Sequence, residues 1–256
     1  MTDSVVLDPF CGCGTTIDAA EKLGRDWIGI DPAIAGQLAI SLIKNRLQDT
    51  CGSRLKFVSG SEPEGRAALP RGQADQQVSP TESVVRIIGE PITPNEAAVL
   101  AEEDKFQFQW WALGLVGARP VEQKKGADHG IAGKIYFRDD PKATKPEQII
   151  IQVKGGKAGV KDVRDLRGVL DREKAAIGIL ISLQPPTGPM ETEAASAGFY
   201  EHNTNQQKYP RLQLRTVKEL MEGKGIERPV NLALDDTFKK APESKKKHGE
   251  QKELGV

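Results

Sequence analysis

An amide and an ammonium group lie two residues apart in the apolar segment QIIIQVKGG (148–156). If this segment is a β-strand, its period of two places Gln152 and Lys154 on the same side. Upstream, KKGADHGIAGKIYF (124–137) combines an acid, a histidine and three glycines with an apolar run. An acid, an amide and a lysine that face one another are suited to divalent-metal and phosphate chemistry. The alternative is that the upstream segment is only a turn.

The elements that must position these side chains are a preceding aromatic helix, DKFQFQWWALGLVGARP (104–120), two strands, and a basic helix after the second strand. This arrangement resembles the PD-(D/E)xK nucleases. It is closest in pattern to their methylated-DNA restriction-like branch, whose signature is Gly-Ile-Asp-Gly followed by a strand ending Gln-x-Lys. The resemblance covers about residues 90–222. It implies that Gln152 is a weak metal ligand, that Lys154 positions the attacking water, and that Mg²⁺ is the cofactor.

The same signature has Ala132 where the family has its metal-binding Asp. A methyl group cannot bind magnesium, so the sequence predicts an impaired nuclease. We expect position 132 to face the ends of Gln152 and Lys154. Asp128, four residues earlier, is the alternative metal ligand, and it otherwise caps the glycine turn.

The segment KGGKAGVKDVRDLRG (154–168) predicts a helix whose apolar stripe is buried and whose start is basic. Basic side chains at the start of a helix can bind the phosphate backbone of double-stranded DNA. The candidate DNA-binding residues are Lys157, Lys161, Arg164 and Arg167. Alternatively, these cations form helix-surface pairs with Asp162, Asp165 and Asp171.

A second motif, LDPFCGCGTT (7–16), places Gly12 and Gly14 between a predicted strand and a predicted helix. Glycines there allow a ligand to approach the backbone, and the helix start directs N–H groups at it. Nineteen residues beyond Gly12, Asp31 follows a second predicted strand, where an acid accepts hydrogen bonds from a ribose.

This stretch, over roughly residues 4–50, resembles motif I of the amino-directed (N4-cytosine and N6-adenine) DNA methyltransferases. The resemblance implies that S-adenosylmethionine is bound by Asp8, Phe10, Gly12, Gly14, Thr15 and Asp31. The family's catalytic Asp/Asn/Ser-Pro-Pro-aromatic tetrapeptide is absent from the sequence, since QPPTG (184–188) lacks both its polar and its aromatic residue. We therefore expect no methyl transfer by this chain alone. Either another polypeptide supplies the missing strands, or the gene is truncated. A separate hypothesis is that the nuclease-like domain is a non-catalytic DNA-binding module that places a methyltransferase on its target.

Composition is that of a globular α/β protein: 256 residues, 38% of them hydrophobic, with 36 basic and 36 acidic side chains. Any attraction to DNA must therefore be local. Three cysteines and the lack of a membrane-length apolar run fit the cytoplasm, and a homodimer is possible.

We predict a partial Rossmann-like methyltransferase sheet followed by a restriction-endonuclease-like α/β domain. The boundaries are 1–58 for the methyltransferase unit, 59–89 for a Gly/Pro/Ser-rich linker, 90–225 for the nuclease-like domain and 226–256 for a charged, disordered tail. Residues 92–120 are predicted to form one helix that starts at Thr93 and Pro94.

Overall fold

The fold is described from a computed structural model over residues 5–31, 36–52, 55–60, 83–121, 130–138, 145–203 and 206–229. Within these ranges the protein is mixed α/β, with a five-stranded sheet and three two-stranded sheets. None of the helices found there is long and apolar enough to cross a bilayer.

The N-terminal part alternates strands and helices, as its sequence predicts. Its elements are β1 (Val6–Asp8), α1 (Thr15–Lys22), β2 (Trp27–Gly29), α2 (Gly36–Cys51) and β3 (Leu55–Gly60). Strands β1 and β2 pair in parallel, and one side of them is covered by the small cluster around Ile17 and Leu47. The cross-strand pair Leu7 and Ile28 stays 60% and 50% exposed. Within the described part of the chain, this sheet is therefore covered on one face only.

The predicted linker, 59–89, is strand at both of its ends. Strand β4 (Ser83–Ile88) pairs in parallel with β3, which itself extends to Gly60. The apolar run VVRII (84–88) is short and follows a long polar stretch, which hid it as a strand signal. Residues 61–82 lie outside the described residues.

The five-stranded sheet forms the core of the C-terminal part. Its order is β11 (Leu212–Thr216), β8 (Ile177–Ser182), β7 (Glu147–Lys154), β6 (Gly133–Phe137) and β5 (Arg119–Pro120). The first three strands are mutually parallel, and β5, β6 and β7 are antiparallel neighbours. Strand β8 is buried on both faces along its whole length and β7 is buried in its middle, which explains the nearly unbroken apolar sequence of β8 and the Ile149–Ile151 run of β7.

Two helical layers cover this sheet. One apolar cluster joins the sheet to α3 (Pro94–Glu103), α4 (Lys105–Leu115) and α7 (Val217–Met221). A second cluster joins it to α5 (Val160–Glu173) and α6 (Gly188–Ala195). A short hairpin of β9 (Phe199–Glu201) and β10 (Lys208–Pro210) lies between α6 and β11 in the chain. Of the predicted tail, residues 226–229 are described, and Glu227 exchanges hydrogen bonds with Gln213 of β11.

The single helix predicted over 92–120 is wrong. The chain breaks at Asp104, whose backbone is extended and whose carboxylate accepts the N–H groups of Phe106 and Gln107. Aspartate is a strong N-cap, so it ends α3 and starts α4 within one residue. The predicted start at Thr93 is confirmed, because Thr93 accepts the N–H of Glu96.

Helix α2 packs against α4 and joins the N-terminal part to the five-stranded domain. The N–H of Gln37 donates to the side chain of Gln107, and Lys44 pairs with the buried Glu90 at 2.8 Å. A methyl group on Gly114 would lie 2.8 Å from the hydroxyl of Ser41, so glycine allows this close approach. The contact is specific rather than only apolar.

Glu219 caps the start of α7, and its contribution to stability depends on pH. Hydrogen bonds from Lys224 and from the N–H and hydroxyl of Thr216 lower the pKa of Glu219 from 4.5 to about 2. A lowered pKa in the folded state stabilises the protein above the unfolded value of 4.5, and this stabilisation is lost as pH falls toward 2.

We therefore expect Glu219→Gln to lower the free energy of unfolding by about 1 kcal/mol at neutral pH, with a loss that shrinks as pH falls below about 4. Urea denaturation across this pH range measures it. The exposed Glu222→Gln, which loses only a 3.9 Å surface pair with Lys218, is the control and should change little. An equal effect of the two substitutions at pH 7 would contradict the assignment.

Candidate nucleic-acid and cofactor sites

The strand that carries Gln152 and Lys154 has the predicted orientation. Ile149 and Ile151 lie in the apolar cluster on the α4 side, whereas Ile150 lies in the cluster on the α5 side. Gln152 and Lys154 follow Ile150 in the alternation and therefore point toward α5. The prediction that Gln152 and Lys154 lie on the same side of a strand is confirmed.

Gln152 is buried, with 6% of its surface exposed. Its Oε1 has no hydrogen-bond partner among the described residues. A methyl group on Gly130 would lie 2.8 Å from Nε2 of Gln152, and Gly130 has φ of 72°. Glycine at 130 thus lets the chain pass directly over the amide.

Lys154 pairs with Asp162, an acid that the sequence suggests only as an alternative partner of the cations along α5. Its Nζ lies 2.8 Å from Oδ1 of Asp162, and Oδ2 of Asp162 accepts the N–H of Gly159 at 2.8 Å. Burial raises the pKa of Asp162, but the hydrogen bonds from Lys154 and Gly159 outweigh it and leave the pKa below its ordinary value. Asp162 is therefore an ionised carboxylate that caps α5 and neutralises Lys154. The acid three residues after Gly159, at the start of a helix, was the available sequence signal.

Ala132 lies in the interior, with 7% of its surface exposed. It contributes to the apolar cluster that includes Ile135 and Ile151, and its N–H donates to the carbonyl of Ile151. The expectation that position 132 faces the ends of Gln152 and Lys154 is not met by this placement, because those side chains follow the opposite face of β7. This placement gives no support to the interpretation of position 132 as a lost metal ligand.

The described residues fit Mg²⁺ poorly. They contain no group of three His, Cys, Asp or Glu side chains placed to hold a metal ion. The carboxylate of Asp162 is already bound by Lys154, which leaves the amide oxygen of Gln152 as a single neutral ligand. Asp128, the alternative ligand, and the neighbouring His129 lie outside the described residues.

The four cations predicted to contact DNA divide into two pairs. Lys157 and Lys161 are exposed at the loop and first turn of α5. Arg164 pairs with Glu193 of α6 at 2.9 Å, and Arg167 contacts Glu193 and Ser196, the residue that caps the end of α6. The arginines thus join two helices, rather than pairing along α5 as the alternative proposed. The lysines are the better placed pair for an external phosphate.

The two adjacent tryptophans also divide. Trp111 is buried in the apolar cluster beside Phe108, while Trp110 is partly buried beside Phe106. One tryptophan therefore fills the core.

The glycine loop between β1 and α1 has the local geometry that the second motif requires. Gly12 and Gly14 have φ of 45° and 76°, and Gly14 is the residue before the first turn of α1. The N–H of Cys11 donates to the carbonyl of Ile30, which ties the loop to the end of β2. Burial and the neighbouring carboxylates of Asp31 and Asp8 raise the pKa of Cys11. Both predicted acids therefore lie near this loop.

Phe10 and Thr15, two other residues predicted to bind the cofactor, have different surroundings. Phe10 is 77% exposed, and its N–H donates to Asp8. The hydroxyl of Thr15 accepts a hydrogen bond from Arg46 of α2 at 2.9 Å. Arg46 was not singled out in the sequence, because nothing in the pattern of α2 indicates which residue meets a loop 31 positions away.

The two loop glycines offer a matched test. A methyl group on Gly14 would lie 2.6 Å from the side chain of Ile43, whereas one on Gly12 would meet nothing within 4 Å. Both have positive φ, which costs a non-glycine residue about 1 kcal/mol. We expect Gly14→Ala to destabilise the N-terminal part by about 3 kcal/mol and Gly12→Ala by about 1 kcal/mol.

Amide hydrogen exchange of α1 measures this difference, because the loop leads directly into that helix. Faster exchange in Gly14→Ala than in Gly12→Ala is the expected result. Equal exchange in the two variants would show that the packing of Gly14 against α2 does not hold the loop.

Comparisons with known proteins match both parts of the chain. A family model described as DNA methylase matches residues 2–34. A model described as NACHT-associated inactive Restriction Endonuclease 1 matches residues 107–222. The type II methyltransferase M.EcaI of Enterobacter cloacae is 57% identical over 30 residues, which are 12% of this chain and 7% of that enzyme. No solved structure matches.

The chain therefore carries a short methyltransferase-like N-terminal stretch and a restriction-endonuclease-like domain. These matches support a protein of DNA modification or restriction. The methyltransferase match is shorter than the 4–50 expected from the sequence, and the nuclease-like match starts at residue 107 rather than near 90.

Proposed function

We propose that this protein acts in DNA modification and restriction through a nuclease-like domain that binds double-stranded DNA without cutting it. The observation that carries the proposal is the ion pair between Lys154 and Asp162 at the end of β7. This pairing occupies the lysine in the DNA-free protein, and the described residues offer no set of acids that could hold the Mg²⁺ needed for hydrolysis.

Position 132 also argues against hydrolysis. The resemblance expects the metal-binding acid there, but residue 132 is an alanine that packs in the core on the side of β7 opposite Gln152 and Lys154. The matched model describes its own family as inactive. We assign the five-stranded sheet to the PD-(D/E)xK fold, with β6 and β7 as the strands that carry the altered motif. The metal-dependent hydrolysis of that fold is the activity that we propose has been lost.

The proposed DNA contact is the start of α5. Lys157 and Lys161 are exposed there, beside the glycines of the loop 155–159. Exposed lysines and backbone N–H groups at a helix start bind phosphates irrespective of base sequence. Because the net charge of the chain is zero, this local patch has to supply the attraction.

We propose that the N-terminal part retains an S-adenosylmethionine loop but needs further strands to complete the methyltransferase. The loop with Gly12 and Gly14, between the acids Asp8 and Asp31, fits the methionine and ribose parts of this cofactor. When bound, the cofactor would supply the methyl group. The exposed pair Leu7 and Ile28 supports a second chain that carries the missing catalytic motif. We further propose that this chain forms a homodimer. We also propose that it acts in the cytoplasm, where its DNA lies.

Binding of a labelled DNA duplex, followed by fluorescence anisotropy at several salt concentrations, tests the DNA proposal. We expect Lys157→Ala/Lys161→Ala to weaken binding about tenfold and to reduce the slope of log Kd against log salt by about 2. The control Lys208→Ala/Lys218→Ala removes two exposed lysines from other elements and should change neither. Equal weakening by both double variants, or no binding by the native chain, would refute the proposal.

Isothermal titration with S-adenosylmethionine tests the N-terminal proposal separately. We expect weak or no binding by the chain alone and measurable binding with a co-expressed chain that carries the missing tetrapeptide. Failure of every such pairing would refute the proposed complementation.

A further inference from the structure

The carboxylate of Asp162 is bound as an external anion would be. An ammonium, from Lys154, contacts one oxygen, and a main-chain N–H, from Gly159, donates to the other, both at 2.8 Å. Ammonium groups and the first N–H groups of a helix are also the donors that bind phosphate oxygens. We propose that Asp162 is an internal anion that fills a phosphate-binding place in this domain, and that a DNA phosphate must displace it to reach Lys154. This inference rests on the proposed DNA binding.

The ion pair of Lys154 and Asp162 is accessible enough to solvent for Lys154 to exchange its partner. The side chains of Lys154 and Asp162 are 41% and 21% exposed. Ion pairs this close to solvent stabilise a protein only weakly, because water screens the two charges. A polyanion that also releases counterions can therefore compete with the carboxylate. Asp162 is ionised at neutral pH, so competition rather than protonation must free Lys154.

The loop between β7 and α5 is packed on one side and open on the other. A methyl group on Gly155 would lie 3.0 Å from Ala101 and 3.3 Å from the ring of Phe108, so this glycine is seated on the α3–α4 layer. A methyl group on Gly156 or Gly159 would meet nothing within 4 Å. The backbone is thus fixed in place, with room for a phosphate beside it.

Two aspartates of α5 provide a matched pair for the test. Asp162→Asn removes the charge that holds Lys154, yet keeps a side-chain oxygen for the N–H of Gly159. Asp165→Asn makes the same change in net charge on an exposed residue three positions along the helix. Asp162→Ser, which also keeps a capping oxygen, repeats the comparison with a different side chain.

The experiment is duplex binding by fluorescence anisotropy over a range of salt concentrations. We expect Asp162→Asn and Asp162→Ser to bind DNA about fivefold more tightly than Asp165→Asn, with a slope of log Kd against log salt that is steeper by about 1. Adding Lys154→Gln to Asp162→Asn should remove this gain, whereas Lys154→Gln in the native chain should change affinity less than twofold.

Equal affinities of the Asp162 and Asp165 variants would overturn the inference and leave DNA binding intact. A loss of affinity on Lys154→Gln in the native chain as large as in Asp162→Asn would also overturn it, because Lys154 would then already contact DNA. If no form binds DNA, both the inference and the proposed function fail.

Discussion

We expect Ala132→Asp to lower the free energy of unfolding by about 3 kcal/mol, because it places an unpaired carboxylate in an apolar interior. Position 132 is 7% exposed and packs with Ile135 and Ile151. Burial disfavours the charged form, so the loss should shrink as pH falls and the new acid becomes protonated. Urea denaturation at pH 7 and pH 5 measures both effects. Ala195→Asp, at an exposed position of α6, is the control and should change stability by less than about 0.5 kcal/mol.

The same variant separates the two interpretations of position 132. If the position is a lost metal ligand, Mg²⁺ should stabilise Ala132→Asp by binding only the folded form. We expect instead that 10 mM Mg²⁺, roughly a saturating concentration for a protein magnesium site, leaves its melting temperature unchanged. A magnesium-dependent rise of several degrees that is absent from the native chain would show that residue 132 reaches a metal site.

Phe108→Ala is expected to lower the free energy of unfolding by about 4 kcal/mol. Phe108 is 1% exposed and is among the largest fully buried side chains of the core, so its truncation removes apolar contacts and leaves a cavity. Phe106→Ala on the same helix is the matched control, because Phe106 is 52% exposed, and it should cost less than about 1 kcal/mol. Similar losses from the two substitutions would contradict the placement of α4.

Phe108→Ala should also weaken the proposed DNA contact. The ring of Phe108 lies against Gly155, which follows Lys154 directly. Loss of that support should loosen the start of the β7–α5 loop and weaken DNA binding at a temperature where the variant is still folded. Unchanged affinity in the folded variant would show that the loop is held by other contacts.

Local patterns predicted the elements that carry the sites. The period-two alternation of 148–154 gave the orientation of Gln152 and Lys154, since the side chains of a strand must alternate. The glycine and acid spacing of the N-terminal motif likewise gave the β1–α1 loop and the position of Asp31 at the end of β2. Both follow from chain geometry within a few residues.

Contacts between distant elements could not be predicted in this way. The partner of Lys154 depends on how α5 returns over the sheet, so the sequence suggests Asp162 only as an alternative surface partner of the cations on its own helix. The interior position of Ala132 depends on how the chain enters β6 from Gly130, which no pattern encodes. Helix α6 was missed because its start, QPPTGPM, is rich in residues typical of loops, although Pro189 suits the first turn of a helix.

Incubation of the native protein with a labelled duplex and Mg²⁺, at a protein concentration that saturates binding, tests the central claim most directly. We expect a stable complex from which the DNA is recovered intact after hours, with or without the metal. Magnesium-dependent nicking that disappears in Lys154→Ala would contradict the claim, because it would show that Lys154 is free to act in hydrolysis despite its pairing with Asp162.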